Sequence, residues 1–164
     1  MQLTNTMMKI ALAALAIAMF GISAVAQKQE EEQEQKITAK AVPAAVKSAF
    51  KSAYPNATIR GYAKEKENGK VFYEIESREG TKSRDLLYNA DGTVAEIEES
   101  IAVSELPSDA QDALHKQYPK AVVSKAEKTT AGDKIGYELV GRQGKKRISM
   151  EFDASGKVLK STAK

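Results

Sequence analysis

The side chains that most often carry catalysis or hold metal ions are scarce in this chain of 164 residues. There is no cysteine, and His115 is the single histidine. A thiol nucleophile, a thiolate metal site and a redox-active cysteine pair are therefore excluded. His115 has no carboxylate cluster beside it, and no serine is spaced with it as nucleophile and base. We expect no catalytic residue, metal or cofactor, although scattered Glu and Ser residues leave a hydrolase open as a third hypothesis.

Two glycine-containing segments are candidates for calcium-binding loops, namely residues 89–92 (NADG) and 153–156 (DASG). An EF-hand loop needs about twelve residues and a distal bidentate Glu. Here a predicted strand resumes directly after the glycine. A tight turn also requires positive φ, which glycine adopts readily. We interpret both segments as turns.

Four cations surround one predicted hairpin at residues 142–147 (RQGKKR): Arg142, Lys145, Lys146 and Arg147. Charges at such a place discourage strand-to-strand aggregation and increase solubility. Alternatively, they bind an anionic partner such as a lipid, an acidic polymer or an acidic protein surface. Because charge runs are usually solvated, the first interpretation is favoured.

Residues 1–26 are typical of a secretory signal peptide. Lys9 precedes an apolar run at 10–22, and the run is followed by the small-x-small pattern of Ala24 and Ala26. The run is shorter than the roughly 20 residues of a membrane-spanning helix. We expect a Sec-type signal, cleaved after Ala26, of a bacterial periplasmic or secreted protein without a transmembrane segment thereafter. Met1 and Met8 are alternative starts.

The chain contains an internal repeat. Residues 42–97 align with residues 106–161 without a gap, and fifteen of the aligned positions are identical. The shared residues include the turn glycines and prolines, which chance alignment seldom preserves. Since self-similarity of this kind marks duplicated structural units, we divide the chain into a signal peptide (1–26), a polar acidic leader (27–41), repeat one (42–100) and repeat two (101–161).

Each repeat predicts one helix followed by four strands. Apolar residues with helical spacing run from Val42 to Tyr54, and Pro55 ends the pattern. Strands are expected near 57–66, 70–79, 82–89 and 93–99, with turn residues between them. The prediction is an α+β fold of two α-β-β-β-β units, each an antiparallel four-stranded sheet with one helix on its apolar face. Because domains of about 60 residues are marginal alone, we expect the two units to pack together or join their sheets.

This pattern resembles the PepSY-like family, also described as similar to β-lactamase-inhibitor proteins. The resemblance rests on Val42-Pro43, Tyr54-Pro55 and residues 88–92 (YNADG), with the matching Leu106-Pro107 and Tyr118-Pro119 in repeat two. It implies tandem α-β4 units in a small periplasmic or secreted protein, without a catalytic motif. It also suggests protein binding, including inhibition of an envelope or secreted hydrolase.

The repeats differ on the sheet face that points away from the helix. Strand alternation predicts Tyr62, Phe72 and Leu87 on this face of repeat one, where repeat two has Ala126, Gly136 and Glu151. Clustered exposed apolar side chains are what a protein-binding patch needs. The alternative is that the three side chains pack against repeat two. The two interpretations are equally supported.

Charge also differs between the repeats. Residues 42–100 contain nine basic and ten acidic side chains, whereas 101–164 contain twelve and eight. Neither half has the dense positive charge of a nucleic-acid-binding protein. The sequence therefore favours an exported binding protein whose partner is a protein or peptide, with an envelope structural or stress protein that binds anionic lipid or polymer as the alternative.

Overall fold

The computed structural model describes residues 33–67 and 69–164, so the predicted signal peptide lies outside the described residues. The described part contains nine strands and two helices. In chain order they are β1 (Gln33–Lys36), α1 (Ala44–Ala53), β2 (Thr58–Glu67), β3 (Lys70–Glu79), β4 (Lys82–Tyr88), β5 (Val94–Ser100), α2 (Ser108–Gln117), β6 (Val122–Ala131), β7 (Lys134–Gln143), β8 (Lys146–Asp153) and β9 (Val158–Ala163).

All nine strands form one antiparallel sheet, and their order in the sheet is their order in the chain. The predicted antiparallel α+β fold is thus confirmed. The separate four-stranded sheets are not what the structure shows, because β5 pairs with β4 on one side and β6 on the other. The two repeats share a continuous hydrogen-bonded ladder, which a small unit needs to bury more of its surface.

Both helices lie on the same face of the sheet, each over its own repeat. They bury two separate apolar clusters, since the side chains of one repeat pack mainly on one another. The cluster of repeat one contains Val42, Val46, Phe50, Ile75, Leu86 and Tyr88. The cluster of repeat two contains Leu106, Ala110, Leu114, Ala126, Leu139, Ile148, Met150 and Phe152. We call the other side of the sheet the outer face.

The prolines set the ends of the helices. Helix α1 begins directly after Pro43, whose carbonyl accepts a hydrogen bond from the Lys47 N–H at 3.2 Å. It ends at Ala53, before Tyr54 leaves the helical conformation. Pro55 disfavours helical backbone at Tyr54, which explains the stop. Helix α2 repeats the arrangement.

The duplication extends further back than the sequence alignment indicated. Residues 33–41, assigned to a polar leader, contain β1 and a 3-10 turn at Ala39–Ala41. The Ile37 N–H donates to the Tyr62 carbonyl at 3.0 Å, and at the equivalent place of repeat two the Ile101 N–H donates to the Ala126 carbonyl at 2.9 Å. Strand β1 is therefore the counterpart of β5. Its four polar residues carry no apolar alternation, which is why the sequence did not reveal it.

A β-bulge corrects one prediction about side-chain direction. The register of β2 against β3 shifts between Ile59 and Gly61. One extra residue reverses the faces on which later side chains lie. Tyr62 consequently stands opposite Ile75 and packs against the apolar cluster of repeat one. The expectation that Tyr62 lies on the outer face is wrong.

Tyr88 offers a direct test of how the core of repeat one is built. The side chain is 1% exposed, and its hydroxyl has no hydrogen-bond partner among the described residues. Burial, with Tyr54 nearby, raises the pKa of Tyr88 to about 12. A buried hydroxyl without a partner has lost its water without compensation, so Tyr88→Phe should raise the free energy of unfolding by roughly 1 kcal/mol in urea titrations.

Repeat two supplies the matched control, because Phe152 occupies the position of Tyr88 there. Phe152→Tyr would bury the same hydroxyl and should lower stability by a similar amount. A loss of stability in Tyr88→Phe would contradict this account of the core.

Candidate functional site

The outer face of repeat one carries two apolar side chains side by side. Phe72 stands opposite Glu65, and Leu87 stands opposite Glu74, the next outer residue of β3 after Phe72. Phe72 and Leu87 are therefore diagonal neighbours on adjacent strands, close enough for long side chains to touch. Both are half-buried, and neither belongs to an apolar core cluster. The structure thus brings together two of the three predicted residues and leaves Tyr62 on the helix side.

Carboxylates surround this apolar pair. Glu96 lies opposite Leu87 on β5, and Asp85 lies opposite Glu76 one step further along the same strands. Glu74 itself is fully buried between Phe72 and Glu76. The pair is thus an apolar spot inside an acidic frame. The burial of Glu74 arises from neighbouring strands and has no local signal in the sequence.

An ion-pair network crosses the junction between the repeats. The Lys125 Nζ lies 2.7 Å from Glu127 Oε2, and Glu127 is only 5% exposed. Carboxylate oxygens of Asp85 and Glu98 lie within 4.8 Å of each other and of Glu127. Burial alone would lower the pKa of Lys125, but its hydrogen bond to Glu127 and the charges of Glu98 and Asp85 raise it. Lys125 therefore stays charged and holds the network together.

Two carboxyl groups of the outer face have raised pKa values. Burial, reinforced by the charge of Glu127, raises the pKa of Glu98 to about 8. The same two causes raise the pKa of Glu138 to about 7. Removing a carboxylate from water and placing it beside another both disfavour ionisation. Near neutral pH the charge of this face therefore depends on pH.

Two groups of three carboxylates are close enough to be compared with cation sites. The first consists of Glu34, Glu74 and Glu76, and the second of Asp85, Glu98 and Glu127. In the second, the Lys125 ammonium already supplies a compensating positive charge. The first brings an exposed carboxylate to a buried one, and such crowding is common without an ion. We interpret both as electrostatic features of the sheet.

The four predicted cations of residues 142–147 are divided by the hairpin. Arg142 and Arg147 stand directly opposite each other on the outer face, whereas Lys145 lies in the turn and Lys146 on the helix side. All four are exposed. Arg142 and Arg147 line a shallow depression of ≈ 600 Å³ together with Val122, Ser124 and Val140. Val122 is 73% exposed, so the depression has an apolar rim and a cationic wall.

The remaining candidates contribute no site. His115 is exposed in the last turn of α2. The Asp91 Oδ1 accepts hydrogen bonds from the Thr93 N–H at 2.9 Å and the Thr93 hydroxyl at 2.7 Å, and Gly92 has φ +88°. A Cβ at Gly92 would lie 2.8 Å from the carbonyl oxygen of Ala45, so only glycine fits this turn. The segment is a tight turn against the start of α1.

Comparison with known proteins identifies the family of this chain. The family described as "Putative beta-lactamase-inhibitor-like, PepSY-like" matches residues 26–95 and, in a second overlapping segment, residues 72–160. The chain belongs to this PepSY-like family, which confirms the resemblance noted in the sequence. Two matching segments are what a duplicated unit should give.

Solved structures show the same fold. A protein of Bacteroides eggerthii, described as one of the "putative periplasmic proteins", is 16% identical with a TM-score of 0.62, and the alignment covers 74% of this chain and 88% of that one. A BLIP-like protein of Bacteroides fragilis is 21% identical with a TM-score of 0.56, over 74% of this chain and 86% of that one. At such identities the likeness concerns the fold.

Neither a curated relative nor, among the described residues, a membrane-spanning helix is found. A search of curated protein sequences finds no match to the chain. Among residues 33–67 and 69–164, no helix combines the length and the apolar character that crossing a membrane requires.

The raised carboxyl pKa values predict how stability varies with pH. Glu98 has an ordinary pKa of 4.5 and about 8 in the folded chain. Between these values the folded chain keeps a proton that the unfolded chain has released, so stability falls as pH rises from about 4.5 to about 8. Glu98→Gln should reduce this fall in stability. At pH values above 8, the variant should have a higher melting temperature than the wild type.

The control for that experiment is Asp133→Asn, which removes a carboxylate from an exposed turn. It leaves Glu98 and its neighbours in place, so the fall in stability between about pH 4.5 and about pH 8 should persist. Equal slopes in wild type and Glu98→Gln would show that the pKa of Glu98 is not raised in the folded chain.

Proposed function

We propose that the protein is an exported, non-enzymatic binding protein that holds a protein or peptide partner on the outer face of repeat one, in the bacterial periplasm or outside the cell. The observation that carries this proposal is the apolar pair Phe72 and Leu87, which lies on the helix-free face of the sheet. Repeat two has Gly136 and Glu151 at the corresponding places. The pair of Phe72 and Leu87 therefore occurs in repeat one and has no counterpart at the same positions of repeat two.

The composition of the patch suits a protein partner. Binding energy at protein interfaces is concentrated in a few apolar anchors that lie inside a ring of polar contacts. Phe72 and Leu87 provide the anchors, while Glu65, Glu96 and Asp85 provide the ring. The acidic ring favours a partner that presents basic side chains around an apolar centre.

Inhibition of an envelope or secreted hydrolase is the specific form of this proposal. It is supported by the family description and by the fold shared with a BLIP-like protein. The hydrolase would meet a rigid sheet with preformed anchors, which reduces the ordering cost of binding. Export to the same compartment is supported by the signal-like residues 1–26.

The first test replaces the aromatic anchor. Phe72→Ala should weaken retention of the partner by at least about 2 kcal/mol, the usual effect of a central anchor, with little change in melting temperature. Retention is measured by capture from periplasmic extract on the immobilised residues 27–164. A captured hydrolase is then assayed for inhibition.

Val71→Ala is the matched control, since Val71 is the chain neighbour of Phe72 on the opposite face and is 38% exposed. It should leave capture unchanged. If Phe72→Ala instead lowers the melting temperature strongly and capture persists, Phe72 is a structural contact and the proposed patch is incorrect.

A second function is favoured by one observation, the paired Arg142 and Arg147 beside the apolar rim of Val122. Adjacent guanidinium groups bind phosphate oxygens well, and an apolar rim suits the edge of an acyl chain. On this alternative the protein is an envelope structural or stress protein that attaches to anionic lipid or polymer.

Liposomes of phosphatidylglycerol provide the test of this alternative. Replacement of Arg142, Lys145 and Arg147 by Ala should weaken binding by roughly 3 kcal/mol, at about 1 kcal/mol for each charge near an anionic surface, and added salt should do the same. The control replaces three exposed lysines elsewhere, Lys51, Lys116 and Lys134. Equal losses of binding in both variants would show that net charge alone causes the binding. Unchanged binding in the hairpin variant would exclude this alternative function.

A further inference from the structure

The same strand occurs three times in the part of the chain that the structure describes. Strands β1, β5 and β9 occupy equivalent places, since residues 33–36, 97–100 and 161–164 follow one another at the same spacing as the two repeats. Strand β5 lies inside the sheet between β4 and β6, whereas β1 and β9 are the two ends of the strand order. Within the described residues, β1 is thus β5 without the neighbour before it, and β9 is β5 without the neighbour after it.

The junction inside the chain shows how the missing neighbour would be added. Strand β5 pairs with β6 through Ile97 opposite Thr130 and Ser100 opposite Glu127. Strand β1 pairs with β2 through Gln33 opposite Lys66 and Lys36 opposite Ala63, which is the same register one repeat earlier. The edge of β2 therefore accepts any strand that presents its backbone as β5 does.

Strand β9 has such a backbone on its free side. Arg147 and Lys164 exchange both backbone hydrogen bonds, at 2.8 and 2.9 Å. In an antiparallel pair these groups alternate in direction, so Thr162 also faces β8 while Ser161 and Ala163 face away from it. The corresponding residues of β5, Ile97 and Glu99, face β6.

Strand β1 is a short, polar strand at the place that β9 would take. It is four residues long, and Glu34, Gln35 and Lys36 are exposed. Glu34 stands opposite Glu65, and its carboxylate lies within 4.8 Å of those of Glu74 and Glu76. Like charges directly opposite each other destabilise a strand pair. At the same position β9 has Thr162, which is uncharged.

We propose that β1 is a displaceable cover and that the edge of β2 beneath it binds β9 of a second copy of this chain. The copies associate head to tail, with Ser161 opposite Lys66 and Thr162 opposite Glu65, which reproduces the internal junction of β5 with β6. Such a contact is heterologous and leaves each end of the assembly open, so association grows with protein concentration.

The first experiment loosens the cover by a single substitution. Since Ile37 donates its N–H to β2, the N–H of Gln35 also faces β2, whereas that of Lys36 faces away. Gln35→Pro should therefore release β1 and shift the sedimentation of the chain from monomer to multiples of the monomer mass with increasing concentration. Lys36→Pro keeps the β2 hydrogen bonds and should sediment as wild type. A Gln35→Pro protein that stays monomeric at every concentration overturns the proposal.

The second experiment blocks the incoming strand. The N–H of Ala163 faces away from β8, and proline is tolerated on an edge strand when its nitrogen faces solvent. Gln35→Pro combined with Ala163→Pro should therefore return to the monomer mass. Undiminished association in this double variant would overturn the role of β9. Circular dichroism confirms that each variant is folded.

The third experiment reports the register in an otherwise cysteine-free chain. Glu65 and Thr162 would form a pair without mutual backbone hydrogen bonds, in which side chains lie close enough for a disulfide. Within one chain they lie seven strands apart, about 34 Å at ~4.8 Å for each strand. Glu65→Cys with Thr162→Cys should form disulfide-linked oligomers under mild oxidation, and each single variant at most dimers. Failure to form oligomers beyond the dimer would overturn the proposed pairing.

Discussion

The rest of the structure depends on the pairing of β5 with both of its neighbours. Each repeat buries a small apolar cluster of its own, and the two clusters do not merge. What joins the repeats is the backbone ladder from β4 through β5 to β6, together with the Lys125–Glu127 ion pair and the neighbouring Glu98 carboxyl on the outer face. Units of about 60 residues bury too little surface to be stable alone, so this ladder is a requirement of the fold.

The sequence predicted those features that local patterns determine. Predicted strands near 70–79 and 82–89 correspond to β3 and β4 within one residue, because glycine turns and alternating side chains mark them. The face of Tyr62 could not be predicted, since it depends on a bulge between Ile59 and Gly61 that exists only in pairing with β3. Strand β1 was missed for a related reason, because its polar residues are extended only when β2 supplies hydrogen bonds.

The features of the candidate site also include some that the sequence predicts and some that it does not. Phe72 and Leu87 follow from alternation within single strands, and the structure places them together. The raised pKa values of Glu98 and Glu138 could not be inferred, because their burial and their neighbour Glu127 come from different strands across the repeat junction. Sequence indicates which way a carboxylate points. The assembled sheet determines how much water remains around the carboxylate, and it therefore determines the pKa of that group.

The distribution of charge on the outer face limits how a partner can lie there. Repeat one presents the apolar pair within carboxylates, the junction carries the Lys125 network, and the far hairpin presents Arg142 and Arg147. A partner that covers both repeats must therefore change from basic to acidic along its length, and it meets like charges if it is reversed. Such mismatches discriminate between orientations more strongly than they add affinity. Because the repeats keep the same backbone, this directionality comes from side-chain divergence alone, and under the proposed function it selects one orientation of the partner.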